Sequence, residues 1–153
     1  MIRISYPDHS FKIREPRQDK EEIWDELRKS WVRLTPEEWV RQNFIQYLLK
    51  IQSYPPSNMA VERMIRLGEL NKRFDLLVFD RNAQPWMMVE CKAINEQLDQ
   101  RVLWQVLRYN MALPVKYLVI TNGEECHAFV KGAMDFNTLE TFPAWPGPDL
   151  TAG

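Results

Sequence analysis

Phe74-Asp75-Leu76-Leu77-Val78-Phe79-Asp80, the turn Arg81-Asn82-Ala83-Gln84-Pro85, and Trp86-Met87-Met88-Val89-Glu90-Cys91-Lys92 decide how this chain folds. Two apolar runs of strand length, separated by turn-forming residues, read as paired β-strands. The second run is too apolar for an edge strand with one wet face, so it belongs at the centre of a sheet. Upstream, Val61, Arg63, Ile65 and Leu67 alternate with Glu62, Met64 and Arg66 as far as Gly68. That period of two, followed by a polar turn over 69–73, adds a third strand as a hairpin.

Outward from this meander the period becomes helical. Thr35-Pro36-Glu37-Glu38 supplies a hydroxyl to cap free N–H groups, a proline for the first turn, and acids for the positive end of the dipole. Val40, Phe44, Tyr47, Leu48 and Ile51 then form one apolar stripe that stops before Tyr54-Pro55-Pro56. Downstream, 95–111 reads as a helix with Leu98, Val102, Leu103, Val106, Leu107 and Met111 apolar, ended by Pro114. A strand over 115–121, a turn at Asn122-Gly123 and a returning strand over 125–130 follow. Residues 21–33, with Ile23, Trp24, Leu27 and Trp31, read as a helical turn or two, and Phe11-Lys12-Ile13-Arg14 as an edge strand. The order predicts an α/β (α+β-like) fold, a mixed central sheet with helices on both faces. The expected boundaries are one domain over 1–142, with its core at about 34–130, and a flexible tail over 143–153 that carries Pro143, Pro146, Gly147 and Pro148.

Composition bounds the function. A chain of 153 residues, 45% hydrophobic with six Trp, is long enough to bury one real core and too rich in aromatics for disorder. Twenty Lys and Arg against 21 Asp and Glu give a net charge of −1, so no overall field draws it to nucleic acid or anionic lipid. No apolar run approaches 18 residues and the opening segment lacks a signal-peptide core, so no membrane partner and a cytoplasmic location are expected. Cys91 and Cys126 lack metal-ligand spacing and read as buried free thiols. His9 and His127 have no nucleophile at a usable spacing. The six Trp and seven Met are read as core and strand-face packing rather than stacking platforms for bases. The five glycines form no phosphate loop, so ATP is not expected as a partner.

Polar side chains on strands that are otherwise apolar mark the candidate site, because burying a carboxylate costs free energy unless it is paired or holds a metal. Alternation puts Glu90 and Lys92 on one face, about 7 Å apart, with Cys91 on the other. The short turn between the strands brings Asp75 across from Glu90 or close to it. Two carboxylates are the hard oxygen donors that Mg²⁺ or Mn²⁺ takes together with waters and substrate phosphates. A Glu-x-Lys triplet arises by accident in roughly half of chains this long, so a solvated ion pair at a strand end stands as the other reading. Gln105 and Tyr109, four apart, share a helical face, either as site residues or as a solvated amide and a core aromatic. Glu38 and Gln42 are also one turn apart in the first helix. Glu37 and Glu38 both serve as first-turn dipole partners, and which of them, if either, belongs to the site is open. Glu62 reads as a structural ion pair with Arg73 or Arg41. Lys72 and Arg73, beside Asp75, are placed to meet phosphates.

Asp75 on the second strand and Glu90-Cys91-Lys92 on the third, between two helices, resemble the PD-(D/E)xK restriction-endonuclease-like core. More specifically the chain is similar to the N-terminal nuclease domain family of type I restriction enzyme R subunits, from about residue 24 to residue 129. The segments that carry this likeness are Leu34-Thr35-Pro36-Glu37-Glu38-Trp39-Val40-Arg41-Gln42, Ala60-Val61-Glu62, Lys72-Arg73-Phe74-Asp75, Val89-Glu90-Cys91-Lys92-Ala93, Gln105 with Arg108-Tyr109-Asn110, and Thr121-Asn122-Gly123. The resemblance implies Asp75 and Glu90 as ligands of Mg²⁺ or Mn²⁺, Lys92 as the catalytic lysine, and double-stranded DNA as substrate. It also implies Gln105 and Tyr109 beside the catalytic core, and a further acid from the first helix. With little net charge, DNA specificity is expected from a homodimer or from other restriction-system subunits.

Overall fold

A computed structural model describes residues 1–146 of the chain. The meander expected from the alternating segments is present as β4 (Met59–Leu67), β5 (Leu70–Phe79) and β6 (Pro85–Cys91), each antiparallel to the next. The β4–β5 turn is tighter than expected. Leu67 pairs with Leu70, and Gly68, at φ +59°, adopts the left-handed conformation that a two-residue loop demands. Helix α2 (Gln100–Tyr109) crosses to β7 (Tyr117–Thr121), which runs parallel to β6. β8 (Cys126–Lys131) and β9 (Phe136–Thr138) complete a six-stranded mixed sheet in the order β4-β5-β6-β7-β8-β9. The last of these strands was not expected from the sequence.

Helix α1 (Pro36–Gln46) continues as a π-helical turn (Tyr47–Ile51), and Thr35 Oγ1 accepts the Glu38 N–H at 3.0 Å as the expected cap. Val40, Phe44, Ile45 and Leu48 bury one sheet face with Leu76, Val78, Met87, Val89 and Cys91. On the other face Leu98, Val106 and Leu107 pack against Phe74, Leu77, Met88, Leu118 and Ile120. Helices therefore cover both faces, as the sequence predicts. α2 is shorter than its apolar pattern because Asp99 Oδ1 accepts the Val102 N–H at 2.9 Å and fixes the helix start there.

One expectation is corrected. Residues 21–33 are not helical. They form β2 (Lys20–Asp25) and β3 (Ser30–Arg33), which with β1 (Ile13–Arg17) make a separate three-stranded sheet. The apolar spacing of 23, 24, 27 and 31 also fits a hairpin that pairs Trp24 with Trp31, with ring centroids 5.5 Å apart. Asp25 Oδ1 accepts the N–H groups of Leu27 and Arg28, closing the turn between the strands. Residues 142–145 pack on the large sheet and α1. Phe142 packs on Phe44, Tyr47 and Tyr54, Pro143 O accepts the Tyr54 hydroxyl, and the Trp145 indole donates to Phe79 O at 3.0 Å. Of the tail expected over 143–153, residues 147–153 lie outside the described residues.

Candidate functional site

The sheet is irregular where its acids lie. Met59 and Val61 of β4 face α1, whereas Ile65 faces α2; on β5, Leu76 and Val78 face α1 while Phe74 and Leu77 face α2. Strict alternation would keep Met59, Val61 and Ile65 on one face, and Phe74, Leu76 and Val78 on one face. Both strands therefore slip between Val61–Arg63 and Phe74–Leu76, the step at which Glu62 and Asp75 stand opposite each other. The cause is local: Glu62 has φ +49°, a conformation that costs a residue with a Cβ on the order of 1–2 kcal/mol. Strain of this kind persists where the surroundings over-determine it.

Here the surroundings are arginines. Glu62 meets Arg41 at 3.2 Å, Arg28 at 3.1 Å and Arg73 at 3.1 Å, which includes both partners named from the sequence. Asp75 Oδ1 accepts from Arg41 at 2.9 Å, and its Oδ2 accepts the Cys91 N–H at 2.8 Å. Arg41, only 4% exposed, also bonds Glu38 at 2.8 Å and Glu37 at 3.2 Å. Behind it Gln42 donates to Glu38 Oε2 at 3.2 Å and to Asp25 Oδ2 at 3.0 Å, and Arg28 joins Asp25 at 2.5 Å to Glu38 at 2.7 Å. The expected pair Glu38 and Gln42 thus lies buried in an ion network that ends on Asp75.

Glu90 follows Val89, the partner of Leu76, where the β5–β6 ladder ends, and so lies close to Asp75 in sequence register. The Lys92 ammonium is 3.1 Å from Glu90 Oε1. Burial opposes the charge on Lys92, but the adjacent Glu90 outweighs it and holds the pKa above the usual lysine range. Glu37 is pushed up, by burial first and by the Asp75 charge second. Asp75 and Glu90 line one cavity of about 90 Å³ with Arg73, Phe74, Met88, Tyr109 and Asn110. Tyr109 is 70% exposed and reaches this cavity from the end of α2, while Gln105 is exposed one turn earlier. Lys72 is buried over the Tyr109 ring at 3.9 Å and donates to the Tyr109 carbonyl; burial lowers its pKa. Arg73 is exposed.

Sequence reasoning did not connect Arg41 to Asp75, nor Arg28 and Asp25 to the site at all. The i,i+3 spacing of Glu38 and Arg41 carried a local signal for the first. Asp25 and Arg28 are also three apart, but nothing along the chain ties them to Glu38 and Gln42, which they reach because the β1–β3 sheet packs beside α1. Two carboxylates on one cavity fit the donor needs of Mg²⁺, which takes one or two acids and completes its shell with water and phosphate. Among the described residues, no group of three His, Cys, Asp or Glu side chains is arranged to hold one ion.

The fold and site define a mixed α/β domain in which the adjacent strands β5 and β6 carry an acid pair, with a lysine just past the end of β6 and arginines neutralising the acids on one side. The chain belongs to the family described as Type I restriction enzyme R protein N terminus (HSDR_N), which matches residues 36–143. The match takes in α1 and every strand of the large sheet but leaves out the β1–β3 sheet. A search of curated proteins finds no match. No described helix is long and apolar enough to cross a membrane.

Proposed function

We propose that this domain is a divalent-metal-dependent nuclease of a restriction system, hydrolysing DNA phosphodiester bonds at Asp75, Glu90 and Lys92. The observation that carries the reading is the meeting of Asp75 and Glu90 on one cavity, with the Lys92 ammonium on Glu90. Asp75 and Glu90 would hold Mg²⁺ or Mn²⁺, which when bound supplies Lewis acidity toward a phosphate oxygen and a more acidic water. Lys92, kept protonated by Glu90, offsets charge that develops on the phosphate. Glu38 and Gln42 act from behind by fixing Arg41, while Tyr109 borders the cavity and Gln105, exposed one turn earlier on the same helix, would act beside it. Arg73, exposed but paired with Glu62, would meet backbone phosphates by exchanging that carboxylate for them; Lys72 would do so only by leaving the Tyr109 ring. With a net charge of −1 the domain binds DNA weakly alone, and a homodimer or other restriction subunits supply specificity. ATP has no part in this chemistry.

One observation favours a second reading, a non-cleaving binding module of a restriction complex. Both Asp75 oxygens are already satisfied, by Arg41 and by the Cys91 amide. Supercoiled plasmid incubated with Mg²⁺ or Mn²⁺ separates the two. Nicking by wild type that is lost in Lys92→Ala and in EDTA supports the nuclease. Equal background in both proteins, or no cleavage at high protein with partner subunits supplied, supports the module.

A further inference from the structure

Helix α2 has an outer face that neither the core nor the acid pair explains. No Asp or Glu occurs from residue 100 to residue 123, and within the helix Arg101, Trp104, Gln105 and Arg108 recur at i, i+3, i+4 and i+7. That spacing puts them on one stripe, with the two arginines about 10 Å apart along the axis. All four are exposed, while Val106 and Leu107 on the opposite side are buried. Among the described residues neither Arg101 nor Arg108 has an ion pair or a side-chain hydrogen bond. The nearest preceding acid, Asp99, is engaged in capping the helix.

Trp104 overturns the reading of every tryptophan as packing. Its side chain is 59% exposed, and it rims a groove of about 580 Å³ floored by Leu107 and Phe129, with Arg101 at the edge. A groove of that size admits a nucleobase. An exposed indole between two unpaired cations matches a strand whose phosphates bind arginine and whose bases stack on aromatic faces. Duplex DNA keeps its base faces stacked inside, so the indole selects unpaired bases. The stripe also points somewhere: Tyr109, one residue past Arg108, lines the cavity of Asp75 and Glu90.

We propose that the Arg101–Trp104–Gln105–Arg108 stripe is a binding track for single-stranded DNA, leading an unpaired strand past Tyr109 to the acid pair. This names the form of DNA for the function proposed above and rests on that reading for its destination. Binding itself does not depend on cleavage, so the test is made in EDTA.

The experiment is fluorescence anisotropy of a dye-labelled oligothymidylate, titrated with the full chain at several salt concentrations. Trp104→Ala is expected to weaken binding roughly 5- to 150-fold, and Trp104→Phe, which keeps a stacking face, to retain most of the affinity. Arg101→Gln and Arg108→Gln should each flatten the log–log salt dependence by about 0.7. Trp104 is exposed, so melting curves of its variants should match wild type. Wild type that fails to bind the oligonucleotide, Trp104→Ala that binds like wild type, or tighter binding of a duplex of equal length each overturns the proposal. Lys92→Ala keeps the two readings apart. Tight strand binding with no cleavage by wild type leaves the track standing and sinks the nuclease, whereas cleavage with no dependence on Trp104 does the reverse.

Discussion

Replacing Arg41 by methionine removes one guanidinium from among four carboxylates while nearly preserving side-chain volume. In the native protein Arg41 lies 2.8 Å from Glu38, 2.9 Å from Asp75, and 3.2 Å from both Glu37 and Glu62. Glu38 is almost fully buried and cannot recover its hydration when the partner is lost. Breaking a buried pair from one side costs about 3–5 kcal/mol. Arg28 stays bonded to Glu38 and Glu62, so the low end applies, about 3 kcal/mol. For a chain of this size that is roughly 6–12 °C in Tm. The assay is calorimetry of both proteins at pH 7 and pH 4. Burial and the Asp75 charge push the Glu37 carboxyl up, so acidification neutralises it early and relieves part of the repulsion, and the deficit of Arg41→Met should shrink at the lower pH. A variant within 2 °C of wild type at pH 7 would refute the view that Arg41 is the counter-charge organising Asp75. A deficit unchanged between the two pH values would show that lost packing, not charge, is responsible.

Two further outcomes follow from the same network. Asp25 is buried, and although burial alone would raise its pKa, the Arg28 amide and guanidinium together with Gln42 bring it below the ordinary aspartate value. A depressed carboxyl stabilises the fold above its unfolded pKa of about 3.9 and loses that contribution as pH falls through the folded value. Asp25→Asn should therefore melt below wild type at pH 7, with the gap closing below about pH 4 in thermal scans. Glu62→Ala and Glu62→Gly both lose three arginine contacts, but only glycine relieves the φ of +49°. Urea denaturation should find Glu62→Gly the more stable of the two, by on the order of 1 kcal/mol.

The sequence by itself determined five of the six strands of the large sheet. Alternation in 59–67, apolar runs in 74–79 and 86–91, and a cap at Thr35 are local signals, and each expresses a period or a hydrogen bond made within a few residues. It also picked out Asp75, Glu90 and Lys92, because polar residues on buried strands break a pattern that is otherwise apolar. It misread 21–33, where apolar spacing fits a helix and a hairpin equally and only the Trp24–Trp31 pairing across strands decides. It read the tryptophans as core and strand-face packing, since composition does not reveal that the stripe holding Trp104 faces outward. What only the tertiary structure decided is the electrostatic setting of the acids. Arg28 lies 10 positions from Glu38 and 34 from Glu62, and Arg41 lies 21 from Glu62 and 34 from Asp75, so these ion pairs depend on how the β1–β3 sheet and α1 dock beside the large sheet. Charge acts through space, whereas periodicity acts along the chain.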